Sequence, residues 1–375
     1  MTEDVESAGP ARPDLRIKLS KKKQALFLSV IFVVFLLALE GALRLFGIPA
    51  DSPRLRNDGG LVRASKGVLS REYTPGWSGW HAGAMVHINS VGWRGEDFSE
   101  QKSKGTFRIL GVGDSFTFGR AVNDEDVWLE RLEQMINNED GPRCEAINSA
   151  HEGVNTSREL KYFKAREMLK LSPDVVVLGF TVHNDAQREG SHRKNKALYR
   201  AFRRRASLPI RISDSNWFKG MADQYRIARL LSLGTEWAYR DELTDMYANI
   251  IVANYADESE SWIRCRAALE GFYELCRQSN TPLVVVLFPV YTKDLDQTYR
   301  EYPEEFKRIH DKLKSVFAGK AGVTVVDMLG DLADSGVTAR EVRVPVDGHP
   351  NRIWHEMVGR RLHQTIKDLD LLVSE

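Results

Sequence analysis

The chain has 375 residues, with 53 Lys and Arg against 52 Asp and Glu, three cysteines and 42% hydrophobic residues. This composition excludes a disordered chain and a disulfide framework, and a net charge of +1 offers nothing global to nucleic acid.

Taken in chain order, the first feature is Lys21-Lys22-Lys23 followed by residues 24–39, which carry no charge. Apolar character continues to Ile48 apart from Glu40 and Arg44, an i,i+4 pair, so residues 24–48 are long enough to cross a bilayer. Lys18 and the three lysines precede the run, and the positive-inside rule keeps that end in the cytoplasm. Residues 1–23 then read as a cytoplasmic tail, 24–48 as a single transmembrane anchor, and the rest as extracytoplasmic. A cleaved signal peptide competes, but the run exceeds a usual h-region and no small-x-small site follows. A buried core helix is the third reading, opposed by the flanking lysines.

Residues 49–105 read as a juxtamembrane linker and leading segment, rich in Gly, Ser and Trp, with an extended stretch Ala84–Trp93 packed on the domain. Trp77, Trp80 and Trp93 offer faces to a sugar in one reading and simple packing in the plainer one. From 106 to 375 apolar runs alternate with helical spacing. Strands are expected at Phe107–Val112, Glu145–Asn148, Asp174–Phe180, Leu283–Phe288 and Val323–Val326, and helices at 123–138, 157–170, 258–279, 303–317 and Asn351 to about Leu372. Such alternation predicts an α/β chain: a flavodoxin-like three-layer sandwich on a five-stranded parallel sheet. A helical insertion of about 187–257 interrupts it.

The most informative stretch is Gly111-Val112-Gly113-Asp114-Ser115-Phe116-Thr117-Phe118-Gly119, which puts a serine between a strand's carboxyl end and a helix. Open α/β sheets bind ligands at that edge, and a serine there is a nucleophile if a base reaches it. It is equally a helix cap. A dinucleotide fingerprint fails, because Phe116 stands where the third glycine is needed.

Gly113-Asp114-Ser115-Phe116-Thr117-Phe118-Gly119 resembles the first block of the GDSL, or SGNH, hydrolase family, whose serine is the nucleophile. Asn148-Ser149-Ala150-His151-Glu152-Gly153-Val154-Asn155-Thr156 resembles the second block, His183-Asn184-Asp185 the third, and Asp347-Gly348-His349-Pro350-Asn351 the last. The resemblance spans roughly residues 88 to 370 through ordered blocks. It implies Ser115 as nucleophile, His349 as base and Asp347 as its orienting acid, with an oxyanion hole from the N–H groups of Ser115 and Gly153 and the Asn184 amide. The chain departs from the pattern where Val182 replaces a usual glycine, where Asp347 and His349 stand two apart instead of three, and where Trp354 replaces a small residue. Residues i and i+2 of an extended segment project to one side, so the acid still reaches the imidazole. His151 and His183 are expected to line or flank the cleft. No His, Cys or carboxylate cluster has zinc-ligand spacing, and the resemblance calls for no cofactor.

From Arg188 to Arg211 the insertion holds nine Lys or Arg against Glu189 alone, then Trp217, Phe218, Tyr225, Ile227, Leu230, Leu231 and Trp237. It reads as a lid, as a contact for anionic lipid or acidic polysaccharide, or as a solvated basic surface. Cys265 and Cys276 share one predicted helix about 16 Å apart, too far to bridge, and Cys144 reads as a buried apolar residue. The expected activity is hydrolysis of an O-acyl ester, on a carbohydrate or envelope polymer. Polysaccharide O-acetyl transfer with the same triad and a non-catalytic binding or assembly component are the alternatives.

Overall fold

The computed structural model describes residues 20–48, 59–187, 208–213, 215–238, 248–289, 299–344 and 348–372. Five strands form one parallel sheet: β5 (Thr106–Gly113), β6 (Arg143–Asn148), β7 (Val175–Thr181), β8 (Leu283–Phe288) and β9 (Val323–Asp327), in the order β6-β5-β7-β8-β9. The three central strands are apolar on both faces and β7 and β8 are buried throughout, as a sheet covered by helices on both sides requires. Helices α3 (Trp128–Asn137), α10 (Met328–Ser335) and α11 (Arg352–Asp368) pack in series, as do α4 (Thr156–Ala165), α8 (Glu260–Gln278) and α9 (Glu304–Phe317). The three-layer α/β sandwich is therefore present. Strand order reverses between β5 and β7, which opens a crevice at their carboxyl ends where such sheets take ligands.

Several boundaries differ from expectation for identifiable reasons. The predicted helix 123–138 is a 3-10 turn, Asp124–Asp126, and a separate helix, because Val127 takes extended φ/ψ between them. The predicted helix 157–170 stops at Ala165, where Glu167 enters the left-handed region at φ 47°. The last helix ends at Asp368. Helix α10 has no counterpart among the expected elements; Asp327 ends β9 and its carboxylate caps the new helix at the Leu329 N–H.

The leading segment carries more strand than the single stretch Ala84–Trp93. It forms two antiparallel hairpins, β1 (Val62–Ala64) with β2 (Arg71–Tyr73) and β3 (Ser78–His81) with β4 (Ala84–His87). Strands of three or four residues with mixed exposure leave almost no periodic signal. Trp93 is buried and donates to Tyr162 Oη, so packing is its role; Trp80 keeps an exposed face. Arg94 fastens the segment to the sandwich. Its buried guanidinium pairs with Asp124 at 2.7 Å and donates to the carbonyls of Phe118, Gly119 and Val122.

The amino-terminal helix α1 runs Lys21–Leu45, so the lysines lie within its first turn, capped by Ser20. Its side chains are largely exposed, unlike those of a core helix, and its length and hydropathy suffice to cross a membrane. In the insertion, helices α5 (Leu208–Ser213), α6 (Asn216–Gln224) and α7 (Arg226–Ala238) precede helical residues 248–254; residues 188–207, most of the basic stretch, lie outside the described residues. All three cysteines are buried and free.

Replacing Arg94 by Ala takes a donor from three carbonyls and from Asp124, which is partly exposed and keeps the His87 N–H; hydrogen bonds to a charged group contribute about 1.5–3 kcal/mol each. The midpoint of urea unfolding is expected to fall accordingly. Arg94→Lys should recover little of it, since an ammonium cannot reproduce the planar fork.

Candidate active site

Gly113 ends β5 where the chain must pass close to its neighbours: a Cβ there would stand 2.3 Å from Thr117 Oγ1 and 2.9 Å from the Gly179 carbonyl. Asp114 follows and caps the short helix α2 (Ser115–Phe118), accepting from the Phe116 N–H at 2.9 Å. The cap turns Ser115 out at the sheet's carboxyl edge. Ser115 is thus not the capping residue itself, which was its plainer reading.

His349 arrives from the far end of the sequence, ahead of α11. Its Nε2 lies 2.9 Å from Ser115 Oγ, across 234 residues of chain. The Phe116 ring supports this contact from below, 5.7 Å from the His349 ring, 5.4 Å from His183 and 6.2 Å from Trp354. Trp354, where a small residue was expected, is buried against Phe116, Phe288 and Tyr299. Asp347, expected to orient His349, lies outside the described residues.

The second block forms a turn beside the serine. Gly153 has φ +70°, a left-handed conformation that costs an L side chain roughly 1–2 kcal/mol, and nothing lies within 4 Å of the position its Cβ would take. Neither the Ser115 nor the Gly153 N–H has a hydrogen-bond partner among the described residues. The Asn184 amide is placed differently from the expected free donor. Its Nδ2 donates to Asp114 Oδ2 at 2.9 Å and to the Val154 carbonyl at 2.7 Å, so both protons are engaged. Asn184 thereby ties the loops after β5, β6 and β7 together.

The two flanking histidines divide. His183 is half-buried beside the Phe116 ring, and burial, then the nearby His349, pulls its pKa down to about 4. His151 does not line the cleft. It is buried behind the second block, stacked on Tyr73 at 4.8 Å and held down to about 4 by burial.

Five residues escaped the sequence reading. Besides Arg94, Tyr73 Oη accepts the Glu152 N–H, and the Glu152 carboxylate accepts from Arg120 and meets His81 Nε2, each at 2.9 Å. The leading hairpins thus grip the residue preceding Gly153. The signal available was the single acid in the block 148–156. Burial raises the Glu152 pKa, but His81 and Arg120 outweigh it and hold the group at about 2.

A separate cavity of about 220 Å³, lined by Asn89, Asp124, Glu130, Glu133, Arg143 and Asn148, contains neither Ser115 nor His349. Among the described residues no group of three His, Cys, Asp or Glu side chains could hold a metal ion.

Fold and site together define a class of arrangement: a Ser–His pair at the topological switch point of a parallel α/β sheet. No protein-family model matches the sequence, and no curated protein does. Among solved structures the chain is similar to an acetylxylan esterase from Geobacillus stearothermophilus, at 11% identity and TM-score 0.41 over 71% of this chain and 96% of that one. It is similar to a lipase/acylhydrolase from Enterococcus faecalis at 19% identity and TM-score 0.37, over 72% and 98%. A lipolytic protein of the G-D-S-L family from Desulfitobacterium hafniense aligns at 15% identity and TM-score 0.36, over 68% and 98%.

Glu152 is held as a carboxylate below its ordinary pKa, so its contribution is complete above about 4.5 and fades as pH falls toward about 2. Glu152→Gln should cost about 2 kcal/mol at neutral pH and progressively less below pH 4.5. Urea midpoints of parent and variant across that range check the convergence.

Proposed function

We propose that this chain is a membrane-anchored, extracytoplasmic serine esterase of the SGNH type that removes an O-acyl group from a carbohydrate or envelope polymer. The observation that carries the reading is the 2.9 Å contact between Ser115 Oγ and His349 Nε2; among the described residues the Ser115 and Gly153 N–H groups have no partner. A base at hydrogen-bond distance is what an otherwise weak hydroxyl nucleophile requires.

The chemistry runs as follows. His349 Nε2 takes the Ser115 proton as Oγ attacks the ester carbonyl. The Ser115 and Gly153 N–H groups are assigned to the negative oxygen that forms. His349 then gives the proton to the departing alcohol, and water releases the acyl group by the reverse sequence. Asn184 enters through Asp114, keeping the nucleophile's turn fixed; to serve as a third donor it would exchange one of its present partners for the oxyanion. Asp347 takes the orienting role through its place in the motif. A binding or assembly component would have no need of a nucleophile–base contact, which favours the enzyme.

The compartment rests on α1, the three lysines in its first turn and its exposed apolar surface. The carbohydrate substrate rests on the tether, which keeps the site near surface polymers, and on the exposed face of Trp80.

With p-nitrophenyl acetate and a fluorophosphonate, the detergent-solubilised full chain is expected to turn over and to be labelled at Ser115. Ser115→Ala should lose the label, and His349→Ala should lower turnover by roughly 10³–10⁶-fold. A label that persists on Ser115→Ala would sink the assignment. Alkaline carbonate should leave the full chain in the membrane pellet, and protease added outside a sealed anchoring membrane should digest the domain beyond residue 59.

A further inference from the structure

Glu40 and Arg44 are the two charges in the otherwise uncharged run 24–48. Beyond pairing with each other at 2.7 Å, they hold the insertion. The Glu40 carboxylate accepts the N–H groups of Arg226 and Ile227, both at 3.1 Å, at the positive end of α7. Arg44 Nη2 donates to the carbonyl of Gln224, the last residue of α6, at 2.8 Å. One acid on a helix's amino end and one base on the preceding helix's carboxyl end clamp the α6–α7 junction onto α1. Each charge meets the dipole of opposite sign.

The clamp sets a height. Sixteen residues separate Gln24 from Glu40, about 24 Å at helical rise, against a hydrocarbon core of about 30 Å. With Lys21-Lys22-Lys23 at the inner head groups, the α6–α7 junction stands within about 6 Å of the outer boundary of the core. The same helices leave large apolar side chains uncovered: Leu208, Ile212, Trp217, Tyr225 and Leu231, with Trp217 at 69% and Leu231 at 59% exposure. Such a cluster on a water-facing surface marks a contact site, and the clamp puts this one where lipid begins.

We infer that α5–α7 form an interfacial foot, lying in the plane of the outer leaflet with Trp217 and Leu231 among the lipid head groups and upper acyl chains. The occupant is the bilayer surface. The inference rests on the anchor reading above and adds a second, in-plane attachment to it. It also bears on the site. The insertion leaves the sandwich just after Asn184, and Tyr255, at its return, donates its hydroxyl to the Val182 carbonyl at 2.7 Å. The insertion therefore meets the loops around Ser115 at both of its ends.

Single-cysteine probes test this, since the three native cysteines are buried. Full-length Trp217→Cys, Leu231→Cys, Val33→Cys and Lys170→Cys are each labelled with the environment-sensitive dye NBD. They are then reconstituted in phosphatidylethanolamine–phosphatidylglycerol vesicles with and without a doxyl lipid. Val33 lies within α1, and Lys170 is exposed at 74% on the sandwich. Positions 33, 217 and 231 should be quenched several-fold more than 170, and adding Glu40→Ala with Arg44→Ala should bring 217 and 231 down toward 170 while leaving 33 unchanged. Quenching at 33 with 217 and 231 no higher than 170 overturns the foot and leaves the anchor standing. No quenching at 33 overturns the anchor itself. Dye self-quenching between copies in place of lipid quenching assigns the face to a second chain, and quenching at 231 unaffected by the double alanine change removes the clamp; either result defeats the inference.

Discussion

One buried carboxylate organises the rim that carries Ser115. Asp114 is fully buried, which raises its pKa, and three donors from separate stretches of chain work against that cost: the Phe116 N–H, the Thr181 hydroxyl and the Asn184 amide. The first shapes the turn carrying Ser115. The other two bring in the loop after β7, and Asn184 extends the connection to the second block through Val154. Removing any one donor leaves a desolvated acceptor, so the three loops are coupled and none adjusts alone.

Below that network the apolar fit decides where His349 stands. Phe116 touches His349, His183, Phe288 and Trp354, joining the short helix of Ser115 to the final helix that follows His349. A large indole at 354 is compatible with the fold because Phe288 and Tyr299 complete its surroundings. What looked like a departure in the motif is a packing choice.

The sandwich was legible because its strands are unbroken apolar runs and its helices keep their spacing; Leu283–Phe288 was read to the residue. Ser115 and His349 were legible because their local patterns are dense in constrained residues. The hairpins of the leading segment were not, since β1 to β4 are short and half-exposed, and their pairing depends on a partner surface that a sequence does not display. Glu152 and Arg94 were missed for a related reason: a charge reads as surface until its distant partners are known. The Asn184 amide shows the opposite limit, where a motif names the residue but leaves open which acceptor its protons choose. Glu40 and Arg44 resembled a local ion pair, and the backbone groups they hold lie 180 and more residues away.

The thiols carry one more implication. Burial pushes Cys276 up to about 12 and Cys265 and Cys144 higher still, so essentially no thiolate exists at neutral pH. Because exchange proceeds through thiolate, the finished domain is indifferent to the redox poise around it: it neither needs an oxidant to mature nor offers one a handle. Such a chain tolerates an oxidising surface and a reducing interior alike, and the hazard of wrong pairing is confined to the short interval before its core closes.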